Sequence, residues 1–187
     1  MTSGAFIALD RDGTVIVERN YLSSIDQVEI LPGVPAALNA FRDDGFSLII
    51  VTNQSGIARG YFDERRLEAI HGRMLEMLAR EGVEIDGIFY CPHHPDERCS
   101  CRKPEVGMIE QAARRLGLKP EISWMVGDKK CDIDLARRAG MGAVLVKTGY
   151  GATESARPDL RADFISENLR AAHAMIAAHP RSLPAGP

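Results

Sequence analysis

Short apolar runs and longer one-faced helical patterns alternate along this chain. "AFIAL" (5–9), "SLIIVT" (47–52), "GIFYC" (87–91), "SWMVG" (123–127) and "AVLVK" (143–147) are apolar and rich in β-forming residues, and "DFI" (163–165) adds a shorter sixth run. Such runs are expected as buried strands. Between them, Val34, Ala37, Leu38 and Phe41 recur on one helical face, after Pro32-Gly33 and before a stop at Gly45. Leu67, Ile70, Met74, Leu75 and Leu78 repeat that spacing behind Asp63, a good N-cap. Further helices are expected over 105–116, over 131–139 with a stop at Gly140, and over 167–178. The alternation predicts a three-layer α/β fold, a Rossmann-like parallel sheet of five to six strands with helices on both faces. Residues 1–179 are expected to form a single domain, and the proline-rich tail 180–187 is expected to be disordered. Met74, Met77 and Met108 fit this picture as core filler.

Composition narrows the class. A chain of 187 residues can bury a sizeable core without staples. A formal net charge of −3 and a pI near 6.0 argue against a general nucleic-acid binder. No run of 18 apolar residues is present, so no membrane span is expected. "MTSGAFIALD" has no basic segment and enters a strand at once, unlike a signal peptide. A cytoplasmic monomer with reduced thiols is the expectation. The four cysteines are 91, 99, 101 and 131, and three of them fall within eleven residues, which in a reducing compartment points to a metal rather than to disulfides.

The chemistry gathers at strand exits. The first strand runs into Asp10, Arg11 and Asp12; the second into "TNQSGIARG" (52–60); the fourth into "DKKCD" (128–132); and "CRKP" (101–104) precedes the third helix. In a parallel sheet these exits share one edge. Two carboxylates two residues apart in an extended segment repel each other unless a cation lies beside them. The alternative is a solvated strand end before an Asp-Gly turn, and four exits with complementary chemistry weigh against it. Phosphoryl transfer needs a nucleophile, a proton donor, a divalent cation, and cationic or N–H donors for the phosphoryl oxygens. Asp10 and Asp128 can supply oxygens to Mg²⁺ from two strand exits. Asp12 can give or take a proton. Thr52, with the backbone N–H groups of Asn53, Gln54 and Ser55, can hold phosphate oxygens, and Lys103 can balance the charge.

A second metal is written into "CPHHPDERCSC". Cys91, His93, Cys99 and Cys101 make a complete tetrahedral Zn²⁺ shell with no open position, hence structural. Buried free thiols are the alternative, but a loop rich in Pro, Asp, Glu and Arg could not bury all three. This inserted loop (91–101) runs straight into Arg102 and Lys103, so zinc would fix where those cations point. His94 is expected in solvent or beside the ligands, and Cys131 as a small core hydrophobe. His71, His173 and His179 lie away from every motif and receive no role.

"LDRDGT", "VTNQSG", "CRKP" and "VGDKKCD" resemble the four motifs of the haloacid dehalogenase superfamily of phosphatases. "LDRDGTV…LPGV", "VTNQSGIARGYF", "YCPHHP…CSCRKPEVGM" and "MVGDKKCDIDLA" are similar to the D-glycero-D-manno-heptose 1,7-bisphosphate phosphatases across roughly residues 5–150. The resemblance implies removal of the 7-phosphate through an aspartyl-phosphate on Asp10, in the biosynthesis of ADP-heptose or GDP-heptose precursors. It implies Asp12 as the acid and then the base, and Mg²⁺ held by Asp10, the main-chain carbonyl of Asp12, and Asp128. Thr52 and Lys103 match phosphate-stabilising positions, and Arg102 and Lys129 match neighbouring substrate, metal or phosphate positions. Asp132 is expected either to orient Lys129 or a metal water, or to cap its helix. Histidinol phosphatases share the aspartates, the "TNQ" start and the zinc loop; "SGIARG" favours the heptose enzyme. Polynucleotide 3′-phosphatases share the motifs but call for a basic groove that is absent here. A zinc-stabilised binding module with a dead site would require a lost motif residue. No separate cap domain fits between the motifs. Substrate choice then falls to residues 18–21 (Glu18, Arg19, Asn20, Tyr21), to 54–60 and to the zinc loop, with Arg59 or Arg102 on a distal phosphate of a small phosphorylated sugar.

Overall fold

The structure is a computed structural model that describes residues 4–181. Among those residues six strands form one parallel sheet: β1 (Phe6–Leu9), β2 (Ser47–Asn53), β3 (Gly87–Cys91), β4 (Trp124–Gly127), β5 (Gly142–Val146) and β6 (Phe164–Ser166), in the order β3-β2-β1-β4-β5-β6. Each lies within one residue of its expected bounds. The helices are α1 (Val34–Asp43), α2 (Glu64–Arg80), α3 (Gly107–Leu116), α4 (Lys130–Arg138), α5 (Gly151–Glu154) and α6 (Leu169–Ala178).

Period-two alternation within β1 explains the layers. Ile7 and Leu9 join Val34, Leu38, Phe41, Ile70, Met74, Leu78 and Ile176 on the face covered by α1, α2 and α6. Phe6 and Ala8 join Met108, Ile109, Ile133 and Leu135 on the face covered by α3 and α4. Both faces of the sheet are therefore buried, as a parallel sheet requires. Asp63 starts α2 by accepting the Arg66 N–H at 2.8 Å.

Two helices begin later than the pattern predicts, each for a local reason. Residues before α3 turn back on themselves, with Glu105 N–H on the Arg102 carbonyl at 2.7 Å, and this turn carries Lys103 toward the sheet. Asn168 stays extended and caps α6 by accepting from Ala171 N–H at 3.0 Å. The single-turn α5 was not expected, because "GYGATE" carries no apolar period. Arg181 departs from the expected disordered tail: it donates to the Gly140 carbonyl at 2.8 Å and stacks over Trp124 at 5.6 Å. The rest of that tail, residues 182–187, lies outside the described residues. Among the described residues no helix is long and apolar enough to cross a membrane.

The topology places the site. From β1 the chain moves outward to β2 and β3, then crosses back to β4 on the other side of β1. Loops leaving β1 and β4 diverge there, which opens a crevice at their carboxyl ends. Leu9 is in register with Ile50 of β2 and with Val126 of β4. Asp10, Thr52 and Asp128 thus leave the sheet at nearly one level.

Candidate active site

Lys103 is the hub of the crevice. It is 4% exposed, and its Nζ contacts Asp10 Oδ1 at 2.7 Å, Asp132 Oδ1 at 2.7 Å and the Val51 carbonyl at 2.9 Å. Those three acceptors match the three protons of an ammonium. Burial alone would lower its pKa, but Asp10 and Asp132 outweigh burial and raise it, so the cation is permanent. Asp132 fulfils half of its two expectations. Its Oδ2 takes the Lys129 backbone N–H at 3.0 Å, which caps α4, while Oδ1 holds Lys103 rather than the Lys129 side chain. The side chain of Asn53, whose backbone N–H was expected on phosphate, grips the backbone of Lys103: Lys103 N–H donates to Asn53 Oδ1 at 3.0 Å, and Asn53 Nδ2 donates to the Lys103 carbonyl at 3.3 Å. The Gln54 backbone N–H, also expected on phosphate, goes to the Cys91 carbonyl at 2.7 Å.

Asp128 lies fully buried beneath two glycines. A Cβ on Gly13 would sit 2.3 Å from Asp128 Oδ2 and one on Gly149 2.2 Å from it, and both residues have positive φ. Only glycine fits at either place. Tyr150 N–H donates to Asp128 Oδ2 at 2.8 Å, whereas Oδ1 is buried without a hydrogen-bond partner. Oxygens of Asp10, Asp128 and Asp132 lie within 4.8 Å of one another. Burial, with Asp10 and Asp132 beside it, pushes Asp128 up to about 8. Burial also pushes Asp132 up, to about 6, against the pull of Lys103. A hard cation answers both the orphaned oxygen and the crowded charge. Asp10 and Asp128 therefore fit a divalent ion, while both oxygens of Asp132 are already engaged.

Behind Asp12 is an element that the sequence motifs left out. Arg11 is 1% exposed, and its guanidinium forks onto Asp12, with Nη2 on Oδ1 at 3.0 Å and Nε on Oδ2 at 3.1 Å. Gln54 adds Nε2 to Asp12 Oδ2 at 3.0 Å and to Thr52 Oγ1 at 2.8 Å, and its Oε1 accepts from Arg11 at 3.1 Å. His71, given no role on sequence grounds, places Nε2 3.2 Å from Arg11 Nη1. Arginine only donates, so His71 must be the acceptor, a neutral ring with its proton on Nδ1. Burial, reinforced by Arg11, pushes its pKa down to about 3, which keeps that ring neutral.

A cavity of about 290 Å³ opens above these groups. Asp10, Asp12, Thr52, Asn53, Gln54, Ser55, Arg102, Lys103, Lys129, Glu18, Asn20 and Tyr21 line it, as do Arg11, Cys131 and Tyr150. Cys131, expected in the core, instead borders this cavity, and burial pushes its thiol up to about 12. Lys129 is held by Glu18 Oε2 at 3.0 Å and lies 4.6 Å over the Tyr150 ring. Asp10, Asp128 and Glu18 raise its pKa against burial. Asn20 and Tyr21 have positive φ, and the Asn20 N–H rests on Glu18 Oε1 at 2.8 Å. Arg59 is exposed and does not line the cavity; it lies 5.7 Å over the ring of Tyr21, which also packs edge-on against Tyr61. Arg19 does not line the cavity; it pairs with exposed Glu29. Tyr150 and Cys131 carried no sequence signal beyond their closeness to the glycine and aspartate turns.

Beside this cavity, ligand atoms of Cys91, His93, Cys99 and Cys101 lie within 4.8 Å of one another. Cys91 Sγ is 3.5 Å from Cys99 Sγ and 3.5 Å from His93 Nδ1, and Cys101 Sγ is 3.2 Å from His93 Nδ1. Metal–ligand bonds of ~2.0–2.3 Å to N and S imply tetrahedral edges of roughly 3.5 Å, so the four atoms outline a zinc-sized cage. His94 faces neither the cage nor bulk solvent alone; it caps the short turn Pro95–Glu97, its own N–H on Glu97 Oε1 at 2.6 Å. Arg102 leans on the His93 carbonyl at 3.5 Å.

The chain's likeness to known proteins follows this geometry. The HAD-hydrolase-like family model matches residues 100–172. The D-glycero-β-D-manno-heptose-1,7-bisphosphate 7-phosphatase of Haemophilus ducreyi is 42% identical over 171 residues, covering 87% of this chain and 93% of that protein. The protein of the same name from Yersinia pestis is 44% identical, over 87% of this chain and 90% of its own. The crystal structure of D,D-heptose 1,7-bisphosphate phosphatase from B. bronchiseptica, complexed with magnesium and phosphate, superposes with a TM-score of 0.87 at 38% identity, over 93% of this chain and 98% of that one. With α/β layers, a four-motif strand edge and relatives of this likeness over nearly their whole length, the chain belongs to the heptose 1,7-bisphosphate 7-phosphatase family of haloacid dehalogenase-like hydrolases.

Proposed function

We propose that the protein hydrolyses the 7-phosphate of D-glycero-β-D-manno-heptose 1,7-bisphosphate, with Mg²⁺ as the catalytic cation and Zn²⁺ as a structural one. The observation that carries this reading is the grouping of Asp10, Asp128 and Asp132 oxygens within 4.8 Å of one another beside a small cavity that Asp10 and Lys103 line, with Asp128 Oδ1 left without a partner. Asp10 attacks phosphorus, and the bond to the sugar oxygen breaks. Asp12 gives that oxygen its proton, then takes a proton from the water that cleaves the aspartyl-phosphate. Asp10, the Asp12 carbonyl and Asp128 would hold Mg²⁺, which neutralises charge between the anionic nucleophile and the anionic phosphoryl group. Lys103 would balance the phosphoryl charge, Thr52 would hold phosphoryl oxygens, and Arg59 or Arg102 would take the distal phosphate. Cys91, His93, Cys99 and Cys101 would hold Zn²⁺, and a reducing cytoplasm suits these free thiols.

A substrate panel tests the reading: both anomers of the heptose bisphosphate, histidinol phosphate and fructose 1,6-bisphosphate, with Mg²⁺ present. The β anomer is expected to give the highest kcat/KM, and Asp10→Asn is expected to lower its turnover by at least ~10³-fold. Higher kcat/KM on histidinol phosphate, or substantial turnover by Asp10→Asn, would overturn it.

A further inference from the structure

Resting on the reading of Asp12 as the proton donor and acceptor, we propose that Arg11 and His71 are positioning residues for its carboxylate. The reaction needs Asp12 near the sugar oxygen that leaves and, later, near the attacking water. A carboxylate on a short side chain at a strand exit has no intrinsic reason to keep one plane. Here both oxygens are fixed by the Arg11 fork, and Oδ2 also by Gln54. Fork-to-carboxylate pairing is directional, so it sets orientation as well as position. The fork must itself be held, because an arginine side chain has four rotatable bonds. Gln54 Oε1 takes one Nη2 proton and His71 Nε2 takes one from Nη1, and the guanidinium is sealed from solvent. His71 sits on α2, among Leu67, Ile70 and Met74 on its buried side. The orientation of Asp12 is thus passed from the packed core of α2 through His71 and Arg11 to the reaction centre. Every side-chain contact of Arg11 named here ends on Asp12, Gln54 or His71, so the two residues act through Asp12.

The test compares His71→Leu, which removes the acceptor, with His71→Gln, whose amide oxygen can stand near the place of Nε2. Each is assayed on the heptose bisphosphate and on p-nitrophenyl phosphate, whose leaving group scarcely needs a proton. General acid–base assistance contributes about 10²–10⁴-fold, and a misplacement of about 1 Å costs on the order of 10²-fold. His71→Leu is therefore expected to lower kcat on the sugar substrate by roughly 10–100-fold, with KM and the aryl phosphate rate changed by less than about threefold. His71→Gln is expected to recover most of the loss. An equal loss on both substrates, or a Gln variant no better than Leu, would mark His71 as merely structural and overturn the proposal. If His71→Leu does not fold, Arg11→Lys replaces it: the charge stays, the fork is lost, and the same split between substrates is expected, its absence refuting the idea. Asp12→Asn run in parallel separates the two readings. A leaving-group split in Asp12→Asn without one in the His71 and Arg11 variants overturns the positioning proposal alone. No split in Asp12→Asn removes the acid–base reading itself, and the proposal with it.

Discussion

Replacing Lys103 by Met shortens the side chain by one atom and deletes its charge. In the metal-free protein this leaves Asp10 and Asp132, at 4% and 0% exposure, facing each other with oxygens within 4.8 Å. At an effective dielectric of about 20, two unit charges at that spacing repel by roughly 3.5 kcal/mol. Removing one partner of a buried ion pair costs about 3–5 kcal/mol, which agrees. The Val51 carbonyl also loses its donor, adding about 1 kcal/mol or more. Lys103→Met is therefore expected to lose about 3–5 kcal/mol of unfolding free energy at pH 8. The loss should shrink at pH 5.5, where one carboxylate can take a proton and the remaining charge has no like neighbour to repel. Urea denaturation at both pH values, with EDTA present, measures this. Adding Asp132→Asn to Lys103→Met should recover at least half of the loss at pH 8, because one of the two opposed charges is gone. A loss below about 1 kcal/mol at pH 8, or one equal at both pH values, would refute the view that Lys103 is the electrostatic keystone.

Two further outcomes follow from the same groups. Asp128 is raised from its ordinary value to about 8 and Asp132 to about 6, so the folded metal-free protein keeps protons that the unfolded chain has released. Its stability must then fall as pH rises from about 4 toward 8, and a cation that replaces those protons should raise Tm more at pH 8 than at pH 6; an equal shift by calorimetry would contradict the assignment. Cys99→Ser should bring zinc content from near one equivalent to near zero and raise KM for the heptose bisphosphate more than it lowers kcat. The reason is that Asn53 and three acceptors hold Lys103 independently of the loop, whereas among the described residues the Arg102 side chain has the His93 carbonyl as its hydrogen-bond partner. Zinc loss with kcat collapsed and KM unchanged would contradict that division.

The layers and the strand edge were legible because they depend on local pattern. Apolar runs bounded by turn residues define strands, and topology alone then brings their exits together. The Asp12 clamp was not legible, because it depends on where long side chains go. Arg11 stands between two carboxylates and looks like a solvated strand-end residue, yet it is buried by Gln54, 43 positions away, and His71, 60 positions away. One signal was present: His71 lies four residues after Leu67 and three before Met74, on the apolar stripe of α2. A titratable residue on a buried stripe calls for a partner. Asn53 carries a second contact that was not legible. Its backbone N–H was expected on phosphate, while strand register sets Asn53 beside Cys91, where the chain returning from the zinc loop offers its side chain the Lys103 backbone.

The choice of lysine rather than arginine at 103 follows from this setting. Three acceptors surround a single point, two carboxylates and a carbonyl from three different segments. A compact ammonium with three protons meets that arrangement, whereas a planar fork would present its donors in one plane and along fixed directions. At 11, the geometry is reversed. One carboxylate must be gripped at both oxygens, and two further acceptors lie in line with the remaining N–H groups, so a guanidinium fits and an ammonium would leave acceptors bare. The two cations thus hold Asp10 and Asp12, the carboxylates proposed as nucleophile and as acid and base, in different ways. Lys103 leaves Asp10 one oxygen, Oδ2, that takes no hydrogen bond among the described residues, as a nucleophile requires. Arg11 fixes both oxygens of Asp12, as suits the proposed acid and base, which would meet a proton at a set place twice in each turnover.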